Sequence, residues 1–216
     1  MIYTTKIVEE LEVQYNKGIS SKKWEKLWYR GNIGVRNKNL LFEFTGIEST
    51  EYLICRDNPI YFIENYCKLP GTDGPIKLHK VQKEMFQKMY DNRFSINMTA
   101  RQVGSTLMLN LLMLHSFTFK QDRAITLFSN TLNDGRNKIE RLKAIYLSLP
   151  FFMKHGVVKW TKNRIGSDAG NNLRLHATSN PPAYGLGEVY FDNFAYVKNQ
   201  EWVFNLILPE AYGRKG

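Results

Sequence analysis

After residue 57 the apolar positions of the chain alternate between two rhythms. Asp57-Asn58-Pro59 supplies a helix start, a capping side chain followed by proline at the first helical position, and Ile60, Ile63 and Cys67 then share one face. Gly71 to Pro75 breaks the pattern as a turn, and Leu78, Val81, Met85 and Met89 restore helical spacing to about Tyr90. Arg93 to Met98 reads as a short strand running into a polar turn, Thr99 to Gly104. From roughly Ser105 to Phe117 the chain predicts a helix apolar on all sides, hence buried on all sides. Ala124 to Ser129 predicts a second strand. Over Asn133–Leu149, Ile139, Leu142, Tyr146 and Leu149 mark an amphipathic helix that Pro150 closes. Leu173 to Ala177 and Val189 to Phe191 predict further strands. Strands alternating with helices imply an α/β fold, a mainly parallel sheet in a three-layer arrangement.

Residues 1–56 lack this rhythm. Lys17, Lys22, Lys23, Lys26, Arg30, Arg36 and Lys38 are interleaved with Trp24, Trp28 and Tyr29, which predicts an N-terminal appendage of short helices with a strand near Leu40–Phe44. Aromatics among cations either stack on bases or anchor such a lobe onto the main domain, and anchoring is the commoner use. The main domain then covers residues 57–216. The 216 residues suffice for one domain plus an appendage, with a substantial core.

Two cysteines, Cys55 and Cys67, are too few for a disulfide scaffold or a four-thiolate zinc site, which points to buried thiols in a reducing, cytosolic setting. His79, His115, His155 and His176 are dispersed without metal-ligand spacing and are expected to be surface or packing residues. Acids within Met1–Glu12 argue against a signal peptide. The longest apolar run, Leu107–Leu114, is interrupted by Asn110 and falls far short of the roughly 20 residues that span a bilayer, so no membrane insertion is expected.

Lys and Arg number 30 against 20 Asp and Glu, and a net charge of +10 suggests an anionic partner, nucleic acid first. The charge concentrates between Asp134 and Arg164, where eight basic residues face only Asp134 and Glu140. Lys138 and Arg141, three apart, are expected together on the helix side opposite Ile139 and Leu142. With Lys143, Lys159, Lys162 and Arg164 they are the candidate contacts to double-stranded DNA, salt-sensitive and blind to sequence. A solvated helix face would give the same pattern.

Strand, polar turn and buried helix form the setting in which backbone N–H groups and a helix N-terminus hold a phosphate. The segment reads Thr99-Ala100-Arg101-Gln102-Val103-Gly104-Ser105-Thr106. Against G-x-x-x-x-G-K-[ST], Gly104 and Thr106 are in place, while Thr99 replaces the first glycine and Ser105 the lysine. This run resembles the ATPase loop of large terminases, the DNA-packaging motors of tailed phages, typically S-R-Q-x-G-K-[ST]. The resemblance extends to Asn58-Pro59-Ile60-Tyr61-Phe62 with Glu64-Asn65-Tyr66, to Gln82, to Ala177-Thr178-Ser179 and to Val189-Tyr190-Phe191-Asp192-Asn193-Phe194-Ala195-Tyr196-Val197, over roughly residues 57–200 and in family order. It implies a P-loop NTPase-like, RecA-like sheet with ATP and Mg2+ as ligands. Nucleotide contacts would come from Gln82 (at the adenine), Thr99, Arg101, Gln102, Gly104, Ser105 and Thr106, and Mg2+ would be held by Thr106 and Asp192. The implied partners are double-stranded DNA, the portal and small terminase, or a second terminase-like chain, in the cytoplasm of an infected bacterium or on the virion.

The departures bear on activity. Ser105 cannot neutralise β/γ-phosphate charge, Ile96, Asn97 and Met98 offer no lysine at the front of the loop, and Arg101 is the only Lys or Arg between Arg93 and Lys120. Asn193 stands where the family carries the Walker B glutamate that deprotonates the attacking water, and an amide has no comparable basicity. Tyr184-Gly185 stands where related ATPases often have Arg-Gly. Hydrolysis is therefore expected to be impaired or lost, with ATP and Mg2+ bound weakly or not at all, and no side chain is assigned as catalytic. Family members continue with further strands, a coupling motif and a nuclease domain, so the sheet is expected to be incomplete on its C-terminal side and to need a partner there. Three functional readings follow: a terminase-like binding protein, the ATPase half of a split active terminase completed by another chain, and an interaction protein that mimics a terminase surface.

Overall fold

The structure, a computed structural model, describes residues 2–19, 22–179, 181 and 186–213. In chain order its helices are α1 (Thr5–Asn16), α2 (Lys22–Leu27), α3 (Gly46–Asp57), α4 (Pro59–Tyr66), α5 (Lys80–Asp91), α6 (Ser105–Phe119), α7 (Leu132–Ser148) and α8 (Gln200–Gly213). Its strands are β1 (Ala124–Ser129), β2 (Val157–Thr161), β3 (Arg164–Ser167), β4 (Asn172–Ala177) and β5 (Glu188–Phe191). Four helices start with the same device, a side-chain oxygen accepting the backbone N–H three residues on: Thr4 from Ile7, Thr45 from Glu48, Asn58 from Tyr61 and Thr131 from Asp134. Among the described residues no helix is long and apolar enough to cross a membrane.

The strands form one sheet in the order β2-β3-β4-β1-β5. Its centre is parallel, with Ser129 beside Ala177 and Phe128 beside Phe191, and its β2–β3–β4 side is antiparallel. The fold is α/β with a mixed sheet, where the sequence pattern predicts a mainly parallel one. The β2–β3 hairpin accounts for the difference. Its outer positions are Lys159, Thr161 and Lys162, so in sequence it reads as a basic connection.

One face of the sheet packs Ile125, Leu127, Leu173 and Leu175 under α6 and α7. From Asn110 to Phe119, α6 is buried around its whole circumference, as its apolar sequence predicts, because α5 and α7 flank it. Asn110, the polar interruption in that run, donates its amide to the Lys138 carbonyl of α7 at 3.2 Å. On the other face Phe128, Leu186, Val197, Val203 and Ile207 bury a smaller cluster under α8.

Arg93–Met98 does not form the expected strand. Ile96 and Met98 are 92% and 96% exposed, and among the described residues β5 ends the sheet, paired only with β1. Strand propensity is realised only by pairing, and here no strand lies alongside. The strand expected at Leu40–Phe44 is likewise reduced to a single bridge between Tyr3 and Phe42.

The N-terminal aromatics serve as an anchor. Tyr3, Val8, Leu11, Leu27 and Trp28 form a satellite core with Phe151 of the main domain, the Trp28 and Phe151 rings meeting edge-on at 5.6 Å. The end of α3 joins the main core through Cys55. Where the lobe meets the main domain, the backbones approach so closely that a Cβ on Gly156 would fall 2.7 Å from the Lys38 Cα and 2.8 Å from the Asn37 carbonyl oxygen. Gly156→Ala is therefore expected to destabilise the protein by about 1–3 kcal/mol, as overpacked sites do. Urea denaturation measures this, and an unchanged midpoint would show that the lobe docks more loosely than its contacts indicate.

Candidate functional site

The loop before α6 owes its shape to two left-handed residues, Gln102 (φ 67°) and Gly104 (φ 92°), the latter being the N-cap of the helix. Gln82 of α5 clasps it. Its Oε1 accepts the backbone N–H of His79 at 3.0 Å, its Nε2 donates to the Val103 carbonyl at 2.9 Å, and a Cβ on Gly104 would lie 2.8 Å from that Nε2. The residue that the resemblance assigns to adenine thus holds the loop to the start of α5. Thr99 and Arg101 are exposed, and the Arg101 guanidinium donates to the Tyr196 hydroxyl at 3.3 Å, across the segment that follows β5.

Thr106, in the first turn of α6, donates its hydroxyl to Oδ2 of Asp192 at 2.9 Å. Asp192 follows β5 directly and is buried. The two residues implied as Mg2+ ligands therefore meet, at the carboxyl ends of parallel strands, where open α/β sheets place their ligands. A third residue joins them. The Lys138 ammonium lies 2.9 Å from Asp192 Oδ2, 2.6 Å from Asp134 Oδ2 and 3.1 Å from Ser129 Oγ at the end of β1. Burial pulls the Asp134 carboxyl upward, but the bonds from Lys138 and Ser129 outweigh it and hold the group below its ordinary range.

Lys138 was expected on a solvent face beside Arg141, and the structure corrects this. Gly135, Lys138, Ile139 and Leu142 form one buried stripe at helical spacing, with Gly135 packed so tightly against Leu175 that no Cβ fits. Because Gly135 carries no side chain, the stripe is hidden in the sequence and Lys138 reads as polar surface. Lys143 is also buried, paired with Glu140 at 2.7 Å and 5.3 Å from the Trp160 ring centre. Lys154 is buried as well, donating to the Leu147 carbonyl at 2.8 Å, and burial pulls its ammonium down to about 8. The basic run is thus not one continuous track.

The exposed remainder is split. Arg141 borders an open depression of about 470 Å³ with Leu69, Pro70 and Leu107. Lys159 and Lys162 are exposed on the β2–β3 hairpin, and Arg164 is half-buried, directing two bonds to Asn172 Oδ1 at 2.6 and 3.2 Å. Arg164 sits directly across from Arg174, whose Nε is buried without a hydrogen bond, and Arg136 ties to the hairpin tip through Asn163 at 3.0 Å. The register sets this tip at the same edge of the sheet as Ser129 and Ala177. Arg174 was not singled out from the sequence. Its signal is the alternation Leu173-Arg174-Leu175-His176, which sets Arg174 and His176 together on the face opposite the core.

Asn193 adopts the left-handed conformation (φ 60°, ψ 45°) and is exposed. Asparagine tolerates that conformation better than glutamate does, so the local backbone suits the residue found here. Tyr184-Gly185 lies outside the described residues. No protein-family model matches this sequence.

Proposed function

We propose that the chain is a terminase-type, P-loop ATPase-fold protein of a phage DNA-packaging system that works by binding DNA or packaging proteins, its nucleotide hydrolysis impaired or lost. The observation that carries this reading is the Thr106–Asp192 bond. Residues 86 positions apart, one starting the helix after a phosphate-type loop and one ending a parallel strand, meet hydroxyl to carboxylate. That pairing of loop Thr with strand-end Asp is the arrangement on which P-loop chemistry is built. Ser105 and Asn193 argue for binding over turnover, since phosphate neutralisation and water activation are both missing.

Calorimetry and a phosphate-release assay test it. The wild type is expected to show no ATP turnover above that of Arg101→Ala. Ser105→Lys is expected to raise ATP affinity by roughly tenfold while leaving turnover low, because one added charge near the phosphates is worth about 1.4 kcal/mol or more and the missing base is untouched. Asp192-dependent turnover in the wild type would overturn the reading. A second reading, an ATPase completed by another chain, is favoured by one feature: β5 ends the described sheet, paired only with β1, while Ile96 and Met98 are left in solvent. Turnover that appears only on mixing with the product of a neighbouring gene would establish it.

A further inference from the structure

Mg2+ is the metal that the resemblance implies for this site, and with Lys138 in place the residues present do not fit it. Among the described residues no three His, Cys, Asp or Glu side chains converge on one point. Asp192 is the only buried carboxylate at the site, and its Oδ2 already receives both the Thr106 hydroxyl and the Lys138 ammonium. We infer that the ammonium of Lys138 occupies the place of a divalent cation, a tethered counter-ion that keeps the site metal-free.

Three points support this. First, the ammonium is enclosed: the Lys138 side chain is 8% exposed and that of Asp192 is 4% exposed. A buried carboxylate is tolerated only when its charge is matched, and here a lysine from α7 does the matching. Second, the ammonium is held from several sides: it donates to Ser129 Oγ and Asp134 Oδ2 and forms an ion pair with Asp192 Oδ2 at 2.9 Å. Its charge is thus committed to the carboxylates of the site. Third, its surroundings are hard oxygen ligands: two carboxylates and the Ser129 hydroxyl, with the Thr106 hydroxyl bonded to one of the carboxylates. Such a set suits a small divalent cation once the ammonium is gone. The lysine and a metal therefore compete for one position. The choice of a divalent cation rests on the terminase-type reading, whereas the Lys138–Asp192 pairing is seen directly.

Manganese titration of the full chain, followed by electron paramagnetic resonance, tests it. Wild-type protein is expected to show no Mn2+ binding that depends on Asp192. Lys138→Met keeps the packed stem and removes the charge, and is expected to bind Mn2+ at least roughly tenfold more tightly than the wild type, the gain disappearing when Asp192→Asn is added. Lys138→Met leaves two carboxylates facing each other, so its folding is followed in parallel by thermal denaturation. Its midpoint is expected to rise with added Mn2+ and with Asp192→Asn. If the wild type binds Mn2+ through Asp192 as tightly as Lys138→Met does, the inference is wrong. It is equally wrong if neither the metal nor Asp192→Asn restores Lys138→Met, or if that variant folds and gains no Mn2+ affinity.

Discussion

Lowering the pH from 7 to about 4 is expected to remove about 3 kcal/mol of stability through His115 alone, a change of roughly 100-fold in the folding equilibrium. His115 lies inside α6, its Nε2 3.1 Å from the Cys55 carbonyl oxygen and its Nδ1 buried without a partner. The rings of Phe62, Tyr90 and Phe119 surround it at 4.9–5.8 Å. Burial is the largest influence on this imidazole and pulls it from 6.5 down to about 4. Between those two values the unfolded chain takes up a proton that the folded one refuses. Stability is therefore fully present above about pH 6.5 and is lost as the pH falls towards 4. His155 and His176 are shifted the same way, again chiefly by burial, and add to the loss. Urea midpoints at several pH values for wild type and His115→Leu provide the measurement. The variant starts from its own stability at pH 7, and its profile is expected to be shallower across this window. Parallel profiles for the two proteins would show that His115 is not the group responsible.

That histidine also shows how far the sequence could be read. Its spacing excluded a metal site and left packing or surface, and the surrounding α6, apolar on all sides, pointed to burial. The helix period exposed α4, α5 and α7 because each carries an apolar stripe long enough to register, α6 stood out as an almost continuous apolar run, and β1 and β4 as short apolar runs between turns. The hairpin and the true faces of the basic segment did not stand out. Burial there is achieved by residues whose composition hides it: Gly135, which packs by having no side chain, and Lys138 and Lys143, which are buried through their ion pairs and, for Lys143, a neighbouring Trp ring. At the candidate site, Thr106 and Asp192 were legible because their motif positions are fixed by chain order. Lys138 was not, since nothing local to residue 138 announces a carboxylate that lies 54 positions further along the chain.

The correction to Lys138 changes what the positive charge can do. With Lys138, Lys143 and Lys154 committed internally, the 134–164 segment presents its charge through fewer accessible groups, most of them on or beside the β2–β3 hairpin. Arg136, Lys162, Arg164 and Arg174 cluster around the hairpin tip, with Lys159 further along β2. Arg164 and Arg174 are direct cross-strand neighbours, an arrangement that costs stability through like-charge repulsion unless an anion lies over it. Arg164 offsets part of that cost through its two bonds to Asn172 Oδ1, and the patch is the surface on which the proposed DNA binding can be tested.

Duplex DNA is accordingly expected to bind weakly, without sequence preference, and with a steep dependence on salt. If four of these side chains each displace a counter-ion, log affinity falls with log salt at a slope of about −3.6, so raising salt from about 50 to about 200 mM weakens binding by about 100-fold. Lys159→Glu together with Lys162→Glu removes the two fully accessible charges without touching the core, and is expected to flatten the slope by about 1.8. Arg141→Glu is the comparison, because Arg141 sits on α7 and lines a depression with Leu69, Pro70 and Leu107. Fluorescence anisotropy at a series of salt concentrations measures all three proteins. A flattened slope in the α7 variant and an unchanged one in the hairpin variant would move the DNA path across α7. An unchanged slope in both would mean that the cationic sheet edge meets a protein partner instead, and the paired arginines would then be expected to take its carboxylates.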